Sequence, residues 1–305
     1  METMAYYCQH DPVACVYLPP VCETSGFIQK ALAISMAVRP NLDFCLLMPC
    51  FNNEEGLIRS LRTVNYTGGP FMVLAVDDGS AVPVSPAKIQ HGIGMGMRVE
   101  VLRLEHNQGI TNALNAGLAW ILEHLYTEFV ARLDCADVCD PSRFDKQVLR
   151  MRSDPGLVLT GTWCFFRDYD TGEQYRYITA ISNENIIREM YHRNVFIHPT
   201  VMFRTSMLGA TGFYPKGFEL AEDYAFFWTL MKHGKVGMIA EFLVTCEINK
   251  RGISFANKGK QLAARWRVVS SFGVSGLLKL RGFLRLAGLF LLPKGLILWL
   301  KKKKA

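Results

Sequence analysis

The chain has 305 residues and half of them are hydrophobic, so it is long enough to bury a large core and is not disordered by composition. Its formal net charge is +7, but the last 29 residues, from Leu277 onward, hold 8 of the 34 lysines and arginines and no acid. The remaining body is about neutral, which argues against a nucleic-acid-binding face and makes the positive charge a property of the C-terminal segment.

Nine cysteines are scattered through the chain, mostly in apolar segments, and no secretory signal peptide is recognisable. Their odd number predicts reduced thiols in a cytoplasmic protein. Cys8, Cys15 and Cys22 are evenly spaced, but zinc-binding cysteines usually occur in pairs about two to four residues apart with a fourth ligand. We therefore do not expect a zinc site.

Residues 1–41 show little regular pattern apart from a helical stretch over residues 27–38, and we predict an N-terminal extension there. The ordered domain is predicted to span residues 42–250. It opens with the apolar run Phe44–Met48, after which Asn52–Glu55 supplies a helix N-cap and first-turn acids. This order predicts a β-loop-α unit.

Strand-like apolar runs then alternate with helical patterns through the rest of the domain. Helices are predicted over Ile110–Leu125 and after Pro141. The predicted strands are Phe71–Val76, Arg98–Leu104, Phe129–Leu133, Leu157–Trp163, Thr200–Arg204, Val236–Ala240 and Phe242–Ile248. Such alternation is typical of an α/β protein with a mixed, mostly parallel sheet flanked by helices.

Three pairs of acidic residues stand where this fold would place a site. Asp77 with Asp78, and Asp134 with Asp137, each follow a predicted buried strand, at the carboxyl edge where ligands bind in open α/β sheets. The third pair, Glu222–Asp223, opens a helical pattern and lies on its first turn. Carboxylates brought together in this way suit a metal ion and a general base.

Six motifs resemble, in order and spacing, those of the family 2 inverting glycosyltransferases of GT-A fold. They are Pro49–Glu55 (PCFNNEE), Val76–Ser80 (VDDGS), Asn107–Gly117 (NQGITNALNAG), Ala131–Gln147 (ARLDCADVCDPSRFDKQ), His198–Arg204 (HPTVMFR) and Ala221–Leu230 (AEDYAFFWTL). The resemblance covers roughly residues 43–250. It implies a GT-A domain and an enzyme that takes a sugar from a nucleoside-diphosphate sugar, with UDP as the expected nucleotide.

The resemblance implies that the donor lies at the strand edge. Asp77 would bond the base, because a carboxylate accepts a hydrogen bond from the imide or amide N–H of a pyrimidine. Asp78, followed by Gly79, either contacts the donor or only forms the turn and caps a helix. The residues that the resemblance assigns to the donor are Pro49, Phe51, Glu54, Asp77, Asp78, Asn107 and Gly109.

The resemblance also implies a divalent metal, Mg²⁺ or Mn²⁺, held by the family's DxD motif against the diphosphate. Asp134 matches the first acid of that motif, but the third position is Ala136 and the next acid is Asp137. Three interpretations stay open. Asp137 replaces the missing ligand, Asp134 acts alone with water and phosphate, or Asp137 only caps the helix that starts near Pro141.

Asp223 matches the family's catalytic base, which takes the proton of an acceptor hydroxyl as that oxygen attacks the anomeric carbon, so that one displacement inverts the centre. Glu222 would tune or orient it, since two close carboxylates push one pKa upward. The alternative is that both acids are only favourable first-turn helix residues. His198 would lie near the acceptor or the diphosphate, or be a satisfied, half-buried histidine.

The C-terminal segment, residues 251–305, is rich in leucine, lysine and arginine. Its longest uncharged stretch, Leu286–Pro293, is far shorter than the ~20 residues that span a bilayer. We predict a helical, basic segment on the membrane surface, against the alternative of a core-packing helix with a solvated tail. Gln261–Trp266 (QLAARW) resembles the QxxRW motif of processive enzymes with one residue too many, which favours the addition of a single sugar.

These features together predict an inverting, non-processive glycosyltransferase at the inner face of a bacterial cell membrane, without a nucleic-acid partner. Its acceptor would be a lipid-linked or membrane-bound glycan in polysaccharide biosynthesis. A sugar-phosphate nucleotidyltransferase is one alternative, although Pro49–Glu55 is acidic where that class needs a glycine-rich, basic loop. A non-catalytic nucleotide-sugar-binding protein with a decayed metal site is another, because of Ala136.

Overall fold

The computed structural model describes residues 39–94, 96–248 and 258–291. The described residues from Pro40 onward belong to one compact unit. The helical stretch expected over residues 27–38 and the last 14 residues of the C-terminal segment lie outside the described part of the chain.

Nine strands of the described residues form a single sheet. They are β1 (Asn41–Cys50), β2 (Phe71–Asp77), β3 (Val99–Arg103), β4 (Tyr126–Arg132), β5 (Val138–Cys139), β6 (Leu157–Asp168), β7 (Gln174–Tyr177), β8 (Met202–Arg204) and β9 (Lys235–Ile248). Their order across the sheet is β3-β2-β1-β4-β8-β6-β9-β5, and β7 pairs with β6.

One half of the sheet is parallel and the other half is mixed. Strands β3, β2, β1 and β4 run parallel, whereas β8 is antiparallel to both of its neighbours and β9 is parallel to β6. In the parallel half, Cys50 lies opposite Asp77 and Leu47 opposite Arg132. The loops after β1, β2 and β4 therefore leave the sheet at one shared edge.

Helices cover both faces of the sheet. They are α1 (Glu54–Leu61), α2 (Pro86–Ile93), α3 (Ile110–His124), α4 (Arg143–Ser153), α5 (Asn183–Met190), α6 (Leu208–Thr211), α7 (Glu222–Met231), α8 (Lys258–Phe272) and α9 (Gly276–Leu291). This arrangement confirms the predicted fold class, a mixed, mostly parallel sheet flanked by helices.

Alternation along the strands divides the core into two apolar layers. In β1, Leu47 faces the layer under α3 and α7, while Leu46 faces the layer under α1 and α4. Both faces of β1 and β2 are buried, so these strands read as continuous apolar runs instead of alternating ones. The candidate site therefore lies at the end of strands that are covered by helices on both faces.

Several elements differ from the sequence prediction. The two runs expected at residues 236–240 and 242–248 form the single strand β9, whose register against β6 shifts around Trp163. Residues 198–200 form a 3₁₀ turn before β8 instead of extending it. Helix α2, which was not predicted, buries only Ile89, so it carries little apolar periodicity, although Ser85 caps it and Pro86 opens it.

Candidate active site

A cleft of about 360 Å³ lies between the loop after β1 and the loop after β2. Asn52 ties the two loops together, because its backbone N–H donates to Ser80 Oγ at 2.9 Å and its Oδ1 accepts from the Ala81 N–H at 2.8 Å. Asn52 takes a φ of 51°, in the left-handed region that asparagine tolerates better than most residues. The cleft walls are Asn52, Asn53, Glu54, Glu55, Ser80, Ala81, Val82 and Val84.

Three of the predicted donor residues stand at the end of β1 and the start of α1. Phe51 is 48% exposed and precedes the cleft residues directly, so its ring is available for stacking. Glu54 accepts hydrogen bonds from the Ser85 N–H at 2.6 Å and from Lys88 Nζ at 3.0 Å, and these two contacts lower its pKa. The carbonyl of Pro49 accepts from Cys135 Sγ at 3.3 Å.

Asp77 is fully buried and organises the loop that follows β2. Its carboxylate accepts from the N–H groups of Ser80 and Val84 and from the Arg103 guanidinium. Burial raises the pKa of Asp77, but the hydrogen bonds from Ser80, Val84 and Arg103 more than offset that effect and hold the pKa below its ordinary value. The nucleobase of a donor could reach the Asp77 carboxylate only by displacing one of these partners.

Asp78 holds the loop that leads into α3. Its two carboxylate oxygens accept from the N–H groups of Gln108 at 2.8 Å and Gly109 at 2.9 Å, the two residues that precede α3. Of the two predicted roles, a donor contact or a turn and cap, these bonds are closer to the second. Asn107, in the same loop, is exposed.

Gly79 lets the loops after β2 and β3 approach each other, and Gly109 supplies a left-handed residue at the start of α3. Gly79 has a φ of 69°, and a Cβ on it would lie 2.3 Å from the backbone carbon of His106. Gly109 has a φ of 84° at the N-cap of α3. Both positions require the left-handed region that favours glycine, and Gly79 also requires the absence of a side chain.

The metal-motif acids point to different places. Asp134 is 39% exposed and its Oδ1 accepts from Arg132 Nη2 at 2.6 Å, whereas Asp137 is buried and its Oδ1 accepts from the Glu247 N–H at 2.9 Å. Burial, with the nearby charge of Asp134, raises the pKa of Asp137 well above its ordinary value. Within residues 39–94, 96–248 and 258–291, no three histidine, cysteine or acidic side chains gather into a metal-binding group.

Ala136 occupies the motif position that would otherwise hold the second acid. Its φ is 83°, an uncommon conformation for a residue with a Cβ. Its carbonyl accepts from Arg59 Nη2 at 3.1 Å, and it lines a second cleft of about 450 Å³. Glu247, which lines the same cleft, is paired with Arg59 and Arg167. The donor set fits a divalent ion through Asp134 alone, with water and phosphate oxygens completing the shell.

Asp223 lies on the first turn of α7 and is held by two hydrogen bonds. Its Oδ2 accepts from Asn194 Nδ2 at 2.9 Å and its Oδ1 from the Tyr224 N–H at 2.6 Å. Burial raises the pKa of Asp223 to about 7, and the charges of Glu222 and Asp134 add to the rise. A carboxylate with a pKa near neutrality suits general base catalysis.

Glu222 shares the environment of Asp223. Burial raises its pKa, and the charge of Asp134 acts in the same direction. The structure thus brings Asp134, Glu222 and Asp223 within electrostatic range of one another, although Asp134 follows β4 and the other two open α7. Asp137 also feels the charge of Asp134, but its hydrogen bond goes to the Glu247 backbone.

Asn194, which follows α5 and contacts Asp223, was not predicted from the sequence. Its Nδ2 is bonded to Asp223, while its own Oδ1 is buried without a hydrogen-bond partner. No local pattern marks this residue, because it lies 29 positions from Asp223 in the chain. Arg265 on α8 also acts on Asp223, since its positive charge lowers the pKa of this carboxyl against the rise from burial. Arg265 belongs to the QLAARW motif.

A buried cation links the two halves of the site. Arg132 is fully buried and donates to the Leu47 carbonyl, to Asp134 and, at 3.3 Å, to His198 Nε2. Tyr214 Oη lies 2.8 Å from the same nitrogen. Burial and the Arg132 charge hold the pKa of His198 well below its ordinary value. Of the two predicted roles, the structure therefore supports the neutral, satisfied histidine.

Comparison with known proteins gives both a family and a fold. Residues 45–211 match the family described as glycosyl transferase family 2. The amylovoran biosynthesis glycosyltransferase AmsE of Erwinia amylovora is 30% identical over 194 residues, which are 63% of this chain and 70% of AmsE.

Two solved structures share the fold at low sequence identity. The mannosyltransferase PcManGT from Pyrobaculum calidifontis, in complex with GDP-Man and Mn²⁺, has a TM-score of 0.60 at 15% identity, covering 86% of this chain and 79% of its own. S. aureus TarS 1–349, in complex with UDP-GlcNAc, has a TM-score of 0.59 at 15% identity, covering 80% and 72%. At this identity the likeness shows the fold.

Proposed function

The chain belongs to glycosyl transferase family 2 and has the GT-A fold, and we propose that it is an inverting, non-processive glycosyltransferase. As a member of this family it is an enzyme that uses a nucleotide-sugar donor. The observation that carries the inverting mechanism is the environment of Asp223, a carboxylate with a pKa of about 7 held beside Glu222 and Asp134.

The proposed reaction is a single displacement. The Asp223 carboxylate takes the proton of the acceptor hydroxyl while that oxygen bonds to the anomeric carbon, and the bond from that carbon to the nucleoside diphosphate breaks on the opposite face. Asn194 holds the carboxylate in place through its amide hydrogen bond. Glu222 keeps the pKa of Asp223 high through its own charge.

The donor is proposed to bind at the edge of β1 and β2. The exposed ring of Phe51 and the cleft between the Asn52 and Ser80 loops would take the nucleoside. Asp77 and Asp78 hold these loops by accepting hydrogen bonds from backbone N–H groups. Asn107 and Gly109 lie on the adjoining loop. We propose a uridine nucleotide; the TarS neighbour binds UDP-GlcNAc and the mannosyltransferase binds GDP-Man, so guanosine is the alternative to test.

We propose that Mg²⁺ or Mn²⁺ assists the reaction and that Asp134 is its protein ligand. The mannosyltransferase neighbour contains Mn²⁺, and hard oxygen ligands suit both ions. When bound, such an ion would offset the negative charge that develops on the leaving diphosphate. Asp137, the other predicted ligand, is buried, and its Oδ1 accepts a hydrogen bond from the Glu247 backbone.

The acceptor is proposed to be a lipid-linked or membrane-bound glycan in polysaccharide biosynthesis, at the inner face of the cell membrane. Support comes from AmsE, which is named for amylovoran biosynthesis, and from the basic, leucine-rich segment 251–305. Across the described ranges, no helix has the length and apolar character needed to cross a bilayer. We propose that residues 42–250 carry the chemistry and that 251–305 form the membrane-associated segment.

A second candidate is donor binding without transfer. Ala136 favours it, because the chain lacks one acid of the metal motif and Glu247, which lines the same cleft, is already paired with two arginines. The nucleotidyltransferase alternative is not retained, since the family is that of glycosyl transferases.

The test is a titration of the full-length protein with nucleoside diphosphates and nucleotide sugars, with and without Mg²⁺ or Mn²⁺, followed by melting temperature and donor turnover. We expect one nucleotide to stabilise the protein by about 2.7 kcal/mol at a hundredfold excess over its Kd, in a metal-dependent way. Asp223→Asn should keep this binding and lose turnover. Binding without turnover in the unmodified protein would establish the second candidate, and normal turnover by Asp223→Asn would overturn the assignment of the base.

A further inference from the structure

Helix α9 exposes an apolar stripe to solvent. Its inner face, which contains Gly282 and Leu286, packs against the body. On the opposite face Leu277, Leu280 and Leu284 recur at three- and four-residue spacing and are between 54% and 61% exposed. Three large apolar side chains in a row on the free side of a helix are not needed for packing and mark an interaction surface.

Positive charge lies beside this stripe. Arg281 and Arg285 are exposed on α9, next to the three leucines, whereas Lys279 is occupied by a hydrogen bond to the Ser270 carbonyl at 2.8 Å. Residues 249–305 contain fourteen lysines and arginines and no acid. The partner must therefore be both apolar and negatively charged.

The inner face of α9 is joined to the catalytic base by a short path. A Cβ on Gly282 would lie 2.2 Å from the Tyr191 carbonyl oxygen, so helix and backbone are in direct contact. The Tyr191 hydroxyl accepts from the N–H groups of Val274 and Ser275, at 2.9 and 3.0 Å, just before α9. Three residues after Tyr191, Asn194 bonds to Asp223.

Helix α8 makes the same connection from the other side. Trp266 packs on Phe283 of α9 with ring centroids 5.0 Å apart, and Arg265, its neighbour in sequence, acts electrostatically on Asp223. The charges of Arg281 and Arg285 reach His192 in the turn that leads to Asn194. Helices α8 and α9 and the turn at Tyr191 thus form one packed unit, which connects the apolar stripe to Asp223.

We propose that the surface formed by Leu277, Leu280, Leu284, Arg281 and Arg285 docks on an anionic lipid bilayer with α9 lying in the plane of the membrane. This rests on the proposed function, and it adds the face that meets the lipid and the side from which the acceptor arrives. Because Tyr191 and Asn194 join this face to Asp223, docking would present the base to a sugar at the membrane surface. A second copy of the chain would place like charges against each other, which disfavours an isologous contact.

The test uses the full-length protein and flotation with two kinds of vesicle, phosphatidylcholine alone and phosphatidylcholine with about one third phosphatidylglycerol. We expect binding to the anionic vesicles that is about tenfold stronger at low salt and that weakens as salt screens the charges. The triple variant Leu277→Ser/Leu280→Ser/Leu284→Ser should bind both kinds of vesicle at least about tenfold more weakly. Arg281→Gln/Arg285→Gln should weaken only the salt-sensitive part of the binding, since the other basic residues of the segment remain.

The control is Leu149→Ser/Arg150→Gln on α4, where a leucine that is 72% exposed and an exposed arginine stand side by side outside the stripe. This variant should bind vesicles as the unmodified protein does. Equal loss in the control, or unchanged binding by the triple variant, would overturn the docking face. Melting temperature checks that the triple variant is folded, which we expect because the replaced side chains are exposed.

Two further measurements separate the docking face from the proposed base and from self-association. Asp223→Asn should bind vesicles normally while losing sugar transfer, so retained transfer would contradict the proposed base and leave the docking face standing. Light scattering in solution measures whether the stripe joins two copies. A dimer that the triple variant dissociates, together with no vesicle binding, would overturn the membrane assignment.

Discussion

Asn194 donates a hydrogen bond from Nδ2 to Oδ2 of Asp223 at 2.9 Å, while its own Oδ1 is buried and unpartnered. The amide thus donates to the carboxylate and fixes the position of its Oδ2. Burial, together with the charges of Glu222 and Asp134, raises the pKa of Asp223 to about 7. The Asn194 bond favours the charged form and so works against that rise.

Replacing Asn194 is expected to move the pH dependence of the reaction. A base must be deprotonated to act, so the rate of the unmodified enzyme should fall as pH drops through about 7. Asn194→Ala removes a hydrogen bond to the charged form, so the acidic limb of kcat/KM should move to higher pH by about one unit. Asn185→Ala, at an exposed position on α5, is the control. If the acidic limb of kcat/KM stays in place in a folded Asn194→Ala protein, Asn194 has only a packing role.

The same carboxylate is expected to lower stability at neutral pH. Since the pKa of Asp223 is higher in the folded protein than its ordinary value, the folded state binds more protons between about pH 4 and 7, and stability falls as pH rises through that window. Asp223→Asn removes this titration. It should be more stable than the unmodified protein by up to a few kcal/mol at pH 8 and by little at pH 4, measured by urea unfolding at both values. An equal difference at both pH values would contradict the raised pKa.

Restoring the missing acid tests the metal assignment. Ala136→Asp should increase the affinity for donor in the presence of Mn²⁺, because it adds an oxygen ligand at the position that the motif assigns to one. Ala136→Gly is the control, since it relieves the φ of 83° without adding a ligand and should stabilise the fold by about 1 kcal/mol. Asp134→Ala should remove the metal dependence of binding. Donor binding that stays metal-dependent in Asp134→Ala would contradict the single-ligand assignment.

Gly79 is expected to tolerate no side chain. Gly79→Ala places a Cβ 2.3 Å from the His106 backbone in a left-handed conformation, so it should destabilise the protein by about 2 kcal/mol or more and weaken donor binding. Gly209→Ala, where a Cβ meets nothing within 4 Å, should leave both unchanged. Urea unfolding and donor titration measure the two effects. Normal behaviour of Gly79→Ala would show that the loops after β2 and β3 need not approach closely.

The amino-acid sequence by itself determined the fold class and predicted the sheet edge at which the candidate site lies. Apolar runs and helical periods are properties of neighbouring residues, so β2 and α3 were predicted within one residue of their observed bounds, whereas β1 and β4 each begin three residues before the predicted run. Acids at the ends of those runs must emerge at one edge when the strands are parallel. That rule is enough to group Asp77 with Asp134, and the order of the family motifs adds Asp223 to the same region.

Only the tertiary structure decided what each of these side chains does. Asp77 and Asp78 are held by partners up to 31 residues away, and Asp137 by a backbone group 110 residues away, so their roles depend on contacts that no local pattern encodes. The contact of Asn194 with Asp223 could not be predicted from the sequence for the same reason. The free face of α9 also became known only from packing, because a leucine on a helix is core or surface according to what covers it.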